Sequence, residues 1–168
     1  MKNIFFVASP LQVICAYELT QVLNDGTNII CPIYISNSDI PNNQLRETIS
    51  LFDFDRIIPI NCSAVTYISF FQQIYNFIFI RFFFLKGKCR LILGDFRNTP
   101  MHLSRIVYSP SKVYLIDDGF SSYVSAMDYI QYGKFFRSSS KLLKKLLKLS
   151  NLYNYLLKSD ITMFSVYS

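Results

Sequence analysis

Short runs of apolar residues recur along this chain, and they constrain its fold more than any other feature. They are "NIFFVA" (3–8), "NIICPIYI" (28–35), "RIIPI" (56–60), "CRLILGD" (89–95) and "KVYLID" (112–117). Runs this short, without polar alternation, fit strands covered on both faces. The stretches between them carry helix signals. Ser9 is a candidate N-cap with Pro10 at the first helical position, and the helix it opens runs to about Asn24 before Asp25-Gly26 stops it. After the polar loop "SNSDIPNNQ", "NQLRETISLF" puts Leu45, Ile49 and Phe52 on one side of a modest helix. "NTPMHLSRIVY" (98–108) reads as a helix capped by Asn98 or Thr99, with Pro100 near its start. Strands alternating with helices imply βαβ units, hence an α/β fold built on a parallel sheet.

At 168 residues the chain suits one domain with a real core. Its 51% hydrophobic content excludes a disordered chain. Charge is unevenly placed. Residues 81–148 hold 13 basic and 4 acidic residues, a net of +9, whereas the rest, with 4 and 7, sums to −3. Such a region attracts anions, whether phosphorylated substrates, nucleic acid or an anionic membrane. Cys15, Cys31, Cys62 and Cys89 are widely spaced with no CxxC, so neither zinc nor a redox pair is indicated. Cys15, Cys31 and Cys89 lie among apolar residues and read as small core side chains in a reducing compartment. Pro10, Gln12 and Glu18 interrupt the apolar start, so no signal peptide is read and a cytoplasmic location is expected.

Two segments bear on membranes. "AVTYISFFQQIYNFIFIRFFFL" (64–85) is long enough to be weighed as a span. Gln72, Gln73, Asn76 and Arg81 inside it make a buried or membrane-surface helix the expectation instead. In "KFFRSSSKLLKKLLKLSNLYNYLLK" (134–158), Leu142, Leu143, Leu146, Leu149 and Tyr153 oppose Lys141, Lys144, Lys145 and Lys148. A basic amphipathic helix of this kind can lie on an anionic membrane, or it can pack as an ordinary surface helix. Nucleic-acid binding is not expected, since no recognisable module is present.

In open α/β sheets, ligands bind beyond the carboxyl ends of the strands. Three polar clusters fall there: Ser9-Pro10-Leu11-Gln12, Gly94-Asp95 and Asp117-Asp118-Gly119. Adjacent carboxylates repel, which raises one pKa and can poise a base, and the glycine lets a ligand approach the backbone. On spacing alone, Asp117-Asp118-Gly119 fits either catalysis or a turn. "SPLQ" offers a helix N-terminus, a hydroxyl and an amide to a polar ligand, or is simply a capped helix. Asp53-Phe54-Asp55 has the DxD form of metal-dependent glycosyltransferases, but it precedes a strand and reads as a solvated helix end. His102, the sole histidine, falls in a helix without metal-ligand spacing. With no glycine-rich phosphate loop, a dinucleotide site is not expected.

"FFVASPLQVICAYEL", "LILGDFRNTPMHLSRI" and "VYLIDDGFSSYV" resemble, in that order, the N-terminal half of bacterial sialyltransferase-like glycosyltransferases, including the lipooligosaccharide sialyltransferase and capsule polysialyltransferase families. The resemblance spans roughly residues 3–125, and the two acids with glycine are its most specific element. It implies a Rossmann-like parallel sheet flanked by helices, the N-terminal domain of a GT-B enzyme. It also implies metal-independent, inverting chemistry without a cofactor, on a donor such as CMP-sialic acid. An acid of the motif would be the general base: Asp118, with Asp117 the close alternative. Ser9, Pro10, Leu11, Gln12, Gly94, Asp95 and Gly119 would line the substrate site.

The family's His-Pro motif and second-domain nucleotide pocket have no counterpart here, and the chain closes on "SDITMFSVYS", which reads as a strand. The expected organisation is therefore a Rossmann-like acceptor-side domain over residues 1–133. Residues 134–168 would carry the basic helix and a final strand, opening a further domain or linker. The expectation is an acceptor-side half, inactive alone. It would sit peripherally at the inner face of a bacterial membrane, held through 134–158, and act on a glycan acceptor such as a lipid-linked one. The rival expectation is a non-catalytic carbohydrate- or membrane-associated module.

Overall fold

The computed structural model describes residues 1–83, 87–95, 98–116 and 161–164. In chain order the elements are β1 (Lys2–Val7), α1 (Pro10–Leu23), β2 (Thr27–Ile35), α2 (Asp39–Ser50), β3 (Arg56–Ile57), β4 (Ile60–Cys62), α3 (Thr66–Phe83), β5 (Cys89–Leu93), α4 (Thr99–Tyr108), β6 (Lys112–Ile116) and β7 (Ile161–Phe164). All strand pairings are parallel, in the order β3-β2-β1-β5-β6-β7, with β4 also on β2. β3 and β4 act as one interrupted strand, so the order is that of a doubly wound, Rossmann-like sheet. The strand expected near the end of the sequence is β7, which pairs with β6 in this same sheet.

The apolar runs form strands because both faces of the sheet are covered. Ile4 and Phe6 point to one face with Phe77, Met101 and Tyr108, from α3 and α4. Phe5 and Val7 point to the other with Val13, Leu19, Leu45 and Ile49, from α1 and α2. All four β1 residues are fully buried, which explains the lack of polar alternation. Phe6 packs on Phe77 and Tyr108 with ring centroids 4.4 and 5.7 Å away. The Tyr108 hydroxyl donates to the Phe77 carbonyl at 3.0 Å, tying α4 to α3.

Several boundaries differ from the sequence reading. The strand expected over 56–60 breaks at Pro59, which lacks the N–H that a ladder needs, and resumes through Cys62. The helix expected from Asn43 begins at Asp39. Pro41 falls in its first turn, where a missing N–H costs nothing. Asn42 clamps the entry, accepting from Ile35 N at 3.1 Å and donating to Ile35 O at 2.7 Å. β5 and β6 stop at Leu93 and Ile116, just short of Gly94 and Asp117. Within the 64–85 segment, Thr66–Phe83 form α3, and no helix among the described residues is long and apolar enough to cross a membrane.

Candidate functional site

The chain runs from β1 outward through β2 to β3 and β4, then returns to the other side of β1 with β5. Connections after β1 and β5 therefore leave in opposite directions, opening a crevice at the carboxyl edge where such sheets bind ligands. "SPLQ" and Gly94-Asp95 both fall at this switch point.

Ser9 is the N-cap of α1, with extended backbone (φ −143°, ψ 157°), and its Oγ accepts from Gln12 N at 3.3 Å. Pro10 takes the first helical position. Gln12, read as an amide for a ligand, instead turns inward and is 1% exposed. Its Oε1 accepts from Ala8 N at 2.6 Å, bracing the turn that leaves β1. This bracing depends on Gly94. The Gly94 N–H donates to the Phe6 carbonyl at 2.8 Å, continuing the β1–β5 ladder by one step. A Cβ at Gly94 would overlap Gln12 Oε1 and lie 2.7 Å from both Gln12 Cδ and Phe6 O. The glycine is needed for close approach, an internal use that its place before an acid did not reveal.

Around that brace, Ser9, Pro10, Leu11 and Asp95 are half-buried at the crevice edge. The Asp95 carbonyl accepts from Asn98 N at 3.2 Å. Asn98 then caps α4, its Oδ1 accepting from Met101 N at 3.1 Å. Two helix N-termini thus flank the switch point, and neither has an acidic residue in its first turn. Their partial positive charges favour an anionic group such as a phosphate or a sugar carboxylate. β6, beside β5, carries the chain through buried Ile116. Asp117, Asp118 and Gly119 follow and lie outside the described residues, as does the segment 134–158.

Other candidates fall away from this edge. Asp53 and Asp55 are exposed after α2, and Asp55 Oδ2 accepts from Asn28 N at 2.7 Å near the start of β2, at the opposite edge. None of the four cysteines is in a disulfide and all are buried, including Cys62, which its polar neighbours had disguised. Burial pushes the thiols of Cys31, Cys62 and Cys89 up, away from the thiolate that nucleophilic or ligand chemistry needs. His102 falls within α4. No family model matches this chain, and no curated protein matches it.

Proposed function

We propose that this chain is the acceptor-side domain of a metal-independent, sialyltransferase-like GT-B glycosyltransferase. It would act at the cytoplasmic face of a bacterial membrane on a lipooligosaccharide or capsule glycan, with CMP-sialic acid or a similar nucleotide sugar as donor. The observation that carries the reading is the meeting of "SPLQ" and Gly94-Asp95 at the switch point, beside a strand ending one residue before Asp117. These are the stretches, in the same order, that resemble the family. Two helix N-termini without first-turn acids suit a carboxylate-bearing sugar at this edge.

In the proposed reaction the Asp118 carboxylate, or that of Asp117, takes the proton of the acceptor hydroxyl. The acceptor oxygen bonds to the anomeric carbon as the bond from that carbon to the phosphate oxygen breaks, releasing CMP with inversion. The test is transfer of labelled sialic acid from CMP-sialic acid to lipooligosaccharide by the chain joined to a nucleotide-binding second domain. Replacing the true base by Asn is expected to lower the rate by about 10²–10⁴-fold. Full activity in both Asp117→Asn and Asp118→Asn would remove the pair from the mechanism.

A non-catalytic glycan- or membrane-associated module is the second reading, favoured by the exposed aromatic face of α3. It predicts glycan or vesicle binding with no affinity for CMP.

A further inference from the structure

We propose that α3 is a membrane-docking helix that lies in the plane of an anionic lipid bilayer with its outer aromatic face among the lipid headgroups. This inference does not rest on sugar transfer, and it uses a surface separate from 134–158. Phe77 and Ile80 turn α3 toward the sheet and are buried. On the outer side, Tyr67, Phe71, Tyr75, Phe82 and Phe83 are each 66–72% exposed. Tyr75, Phe79 and Phe83 follow one another at intervals of four residues, with successive ring centroids 6.2 and 4.6 Å apart. The stripe runs about 24 Å from Tyr67 to Phe83, at ~1.5 Å per residue. A contiguous apolar surface of this length on a water-facing helix marks an interaction face.

Charge selects the partner. From Arg56 to Gly94 the sequence has five basic residues, of which Arg90 is paired with Asp25, and no acidic one. α3 and α4, which cover this face of the sheet, carry no acid, whereas α1 and α2 carry Glu18, Asp39 and Glu47. Arg81 of α3 is half-buried, while Arg105 of α4 is buried and adds no surface charge. The C-terminal end of α3 is tied to the following loop by Arg81, whose Nη1 donates to the Gly87 carbonyl at 3.0 Å. Exposed Lys88 and Lys112 stand at the starts of β5 and β6, the edge to which α3 returns the chain. Aromatic rings on helices that carry no acid, with exposed lysines at the edge beside them, complement an anionic lipid surface. Because α3 is not a spanning helix, its mode is in-plane.

The chain has no Trp, so a single introduced Trp is a clean reporter. With vesicles of phosphatidylcholine and phosphatidylglycerol in which the phosphatidylcholine is brominated, Phe82→Trp fluorescence is expected to be quenched. Trp placed on the α2 side by Leu51→Trp, a site 76% exposed, is expected to be spared. In co-sedimentation, the Phe71→Ser/Phe82→Ser/Phe83→Ser variant should lose vesicle binding by about tenfold or more, since three apolar anchors are removed. Its circular dichroism and unfolding temperature should match the parent's. Parent binding should weaken on vesicles of phosphatidylcholine alone and at high salt. Equal quenching at both Trp sites, or undiminished binding by the triple variant, would overturn the proposal and move any attachment elsewhere, 134–158 included. Absence of vesicle binding would overturn it too, as would a solution dimer that the triple variant dissolves.

Discussion

The two faces of the sheet share one strand layer but are finished differently. Phe5 and Phe6 are adjacent and both fully buried, one under α1 and α2, the other under α3 and α4. Above Phe5 the outer layer is ordinary for a water-facing surface. α2 exposes Arg46 and Glu47, and the Arg46 guanidinium sits 4.6 Å from the Tyr34 ring centroid. Above Phe6 the described outer layer, α3 and α4, shows aromatic rings and no acid. Burial beneath a helix therefore says nothing about what lies outside it. The inner side of each helix answers to the sheet, and the outer side answers to whatever surrounds the domain.

The strongest challenge to this contrast is truncation at its centre. Phe5→Ala and Phe6→Ala should each cost about 3–5 kcal/mol in unfolding free energy measured with urea. Phe6 loses contacts with Phe77 and Tyr108, while Phe5 loses one with Phe54, at 6.0 Å between centroids. Comparable costs would show that α3 and α4 are as firmly seated as α1 and α2, leaving the aromatic stripe as a surface finish. A much smaller cost at Phe6 would instead mean that the α3–α4 layer is loosely held and needs a partner to settle.

The next effect lies at the seam between the faces, where Gly94 and Gln12 interlock. Gly94→Ala should destabilise by about 1–3 kcal/mol, because its Cβ meets the Phe6 carbonyl as well as the Gln12 amide. Gln12→Ala should cost about 1–3 kcal/mol through the lost acceptor for Ala8 N. The double variant should cost less than the sum, since removing the amide relieves part of the clash. Strict additivity, from the same urea measurements, would show that the two residues do not share a site.

Much of this architecture was legible because β1, β2, β5 and β6 are buried on both sides, and such strands advertise themselves as unbroken apolar runs. The cap at Ser9 was legible too, and Asn98 was one of two candidates for α4, since each precedes a proline in the helix's first turn. Other features were hidden for physical reasons. Pro59 stands in an apolar run that reads as a single strand, and only its missing N–H splits it. Asn42, part of an apparently polar loop, acts through a clamp on Ile35 that composition does not encode. In α3, Phe appears on both sides: Phe77 is buried while Phe71, Phe82 and Phe83 are exposed. No polarity contrast separates inside from outside there, so the outward aromatic stripe could not be read beforehand. The candidate site was half legible. Its place at the strand ends followed from the βαβ order, but Gln12's inward turn depends on the space that Gly94 leaves across two strands.

The smallest predicted effect is electrostatic and sits at the amino edge, where both halves of the sheet are tied together. Asp25, in the turn after α1, pairs with Arg90 on β5, reaching past β1; Arg90 Nη1 donates to Asp25 Oδ1, and Nη2 donates to Oδ2 at 3.1 Å. Buried Asn3 joins them, its Nδ2 donating to the Asp25 carbonyl at 2.8 Å and to Asn28 Oδ1 at 2.9 Å. The Arg90 hydrogen bond holds the Asp25 carboxyl below its ordinary value, outweighing desolvation. A folded-state pKa lower than the unfolded one gives stability that is present above the unfolded value and is lost as pH falls through the folded one. Asp25→Asn should therefore lower the unfolding temperature slightly at neutral pH and progressively less as the solution is acidified. Below both pKa values the two proteins should unfold together. The pair is open to solvent, so added salt should shrink the neutral-pH gap as well. A gap that stays constant from neutral to strongly acidic pH would show that the charge of the Asp25–Arg90 pair does not carry the difference.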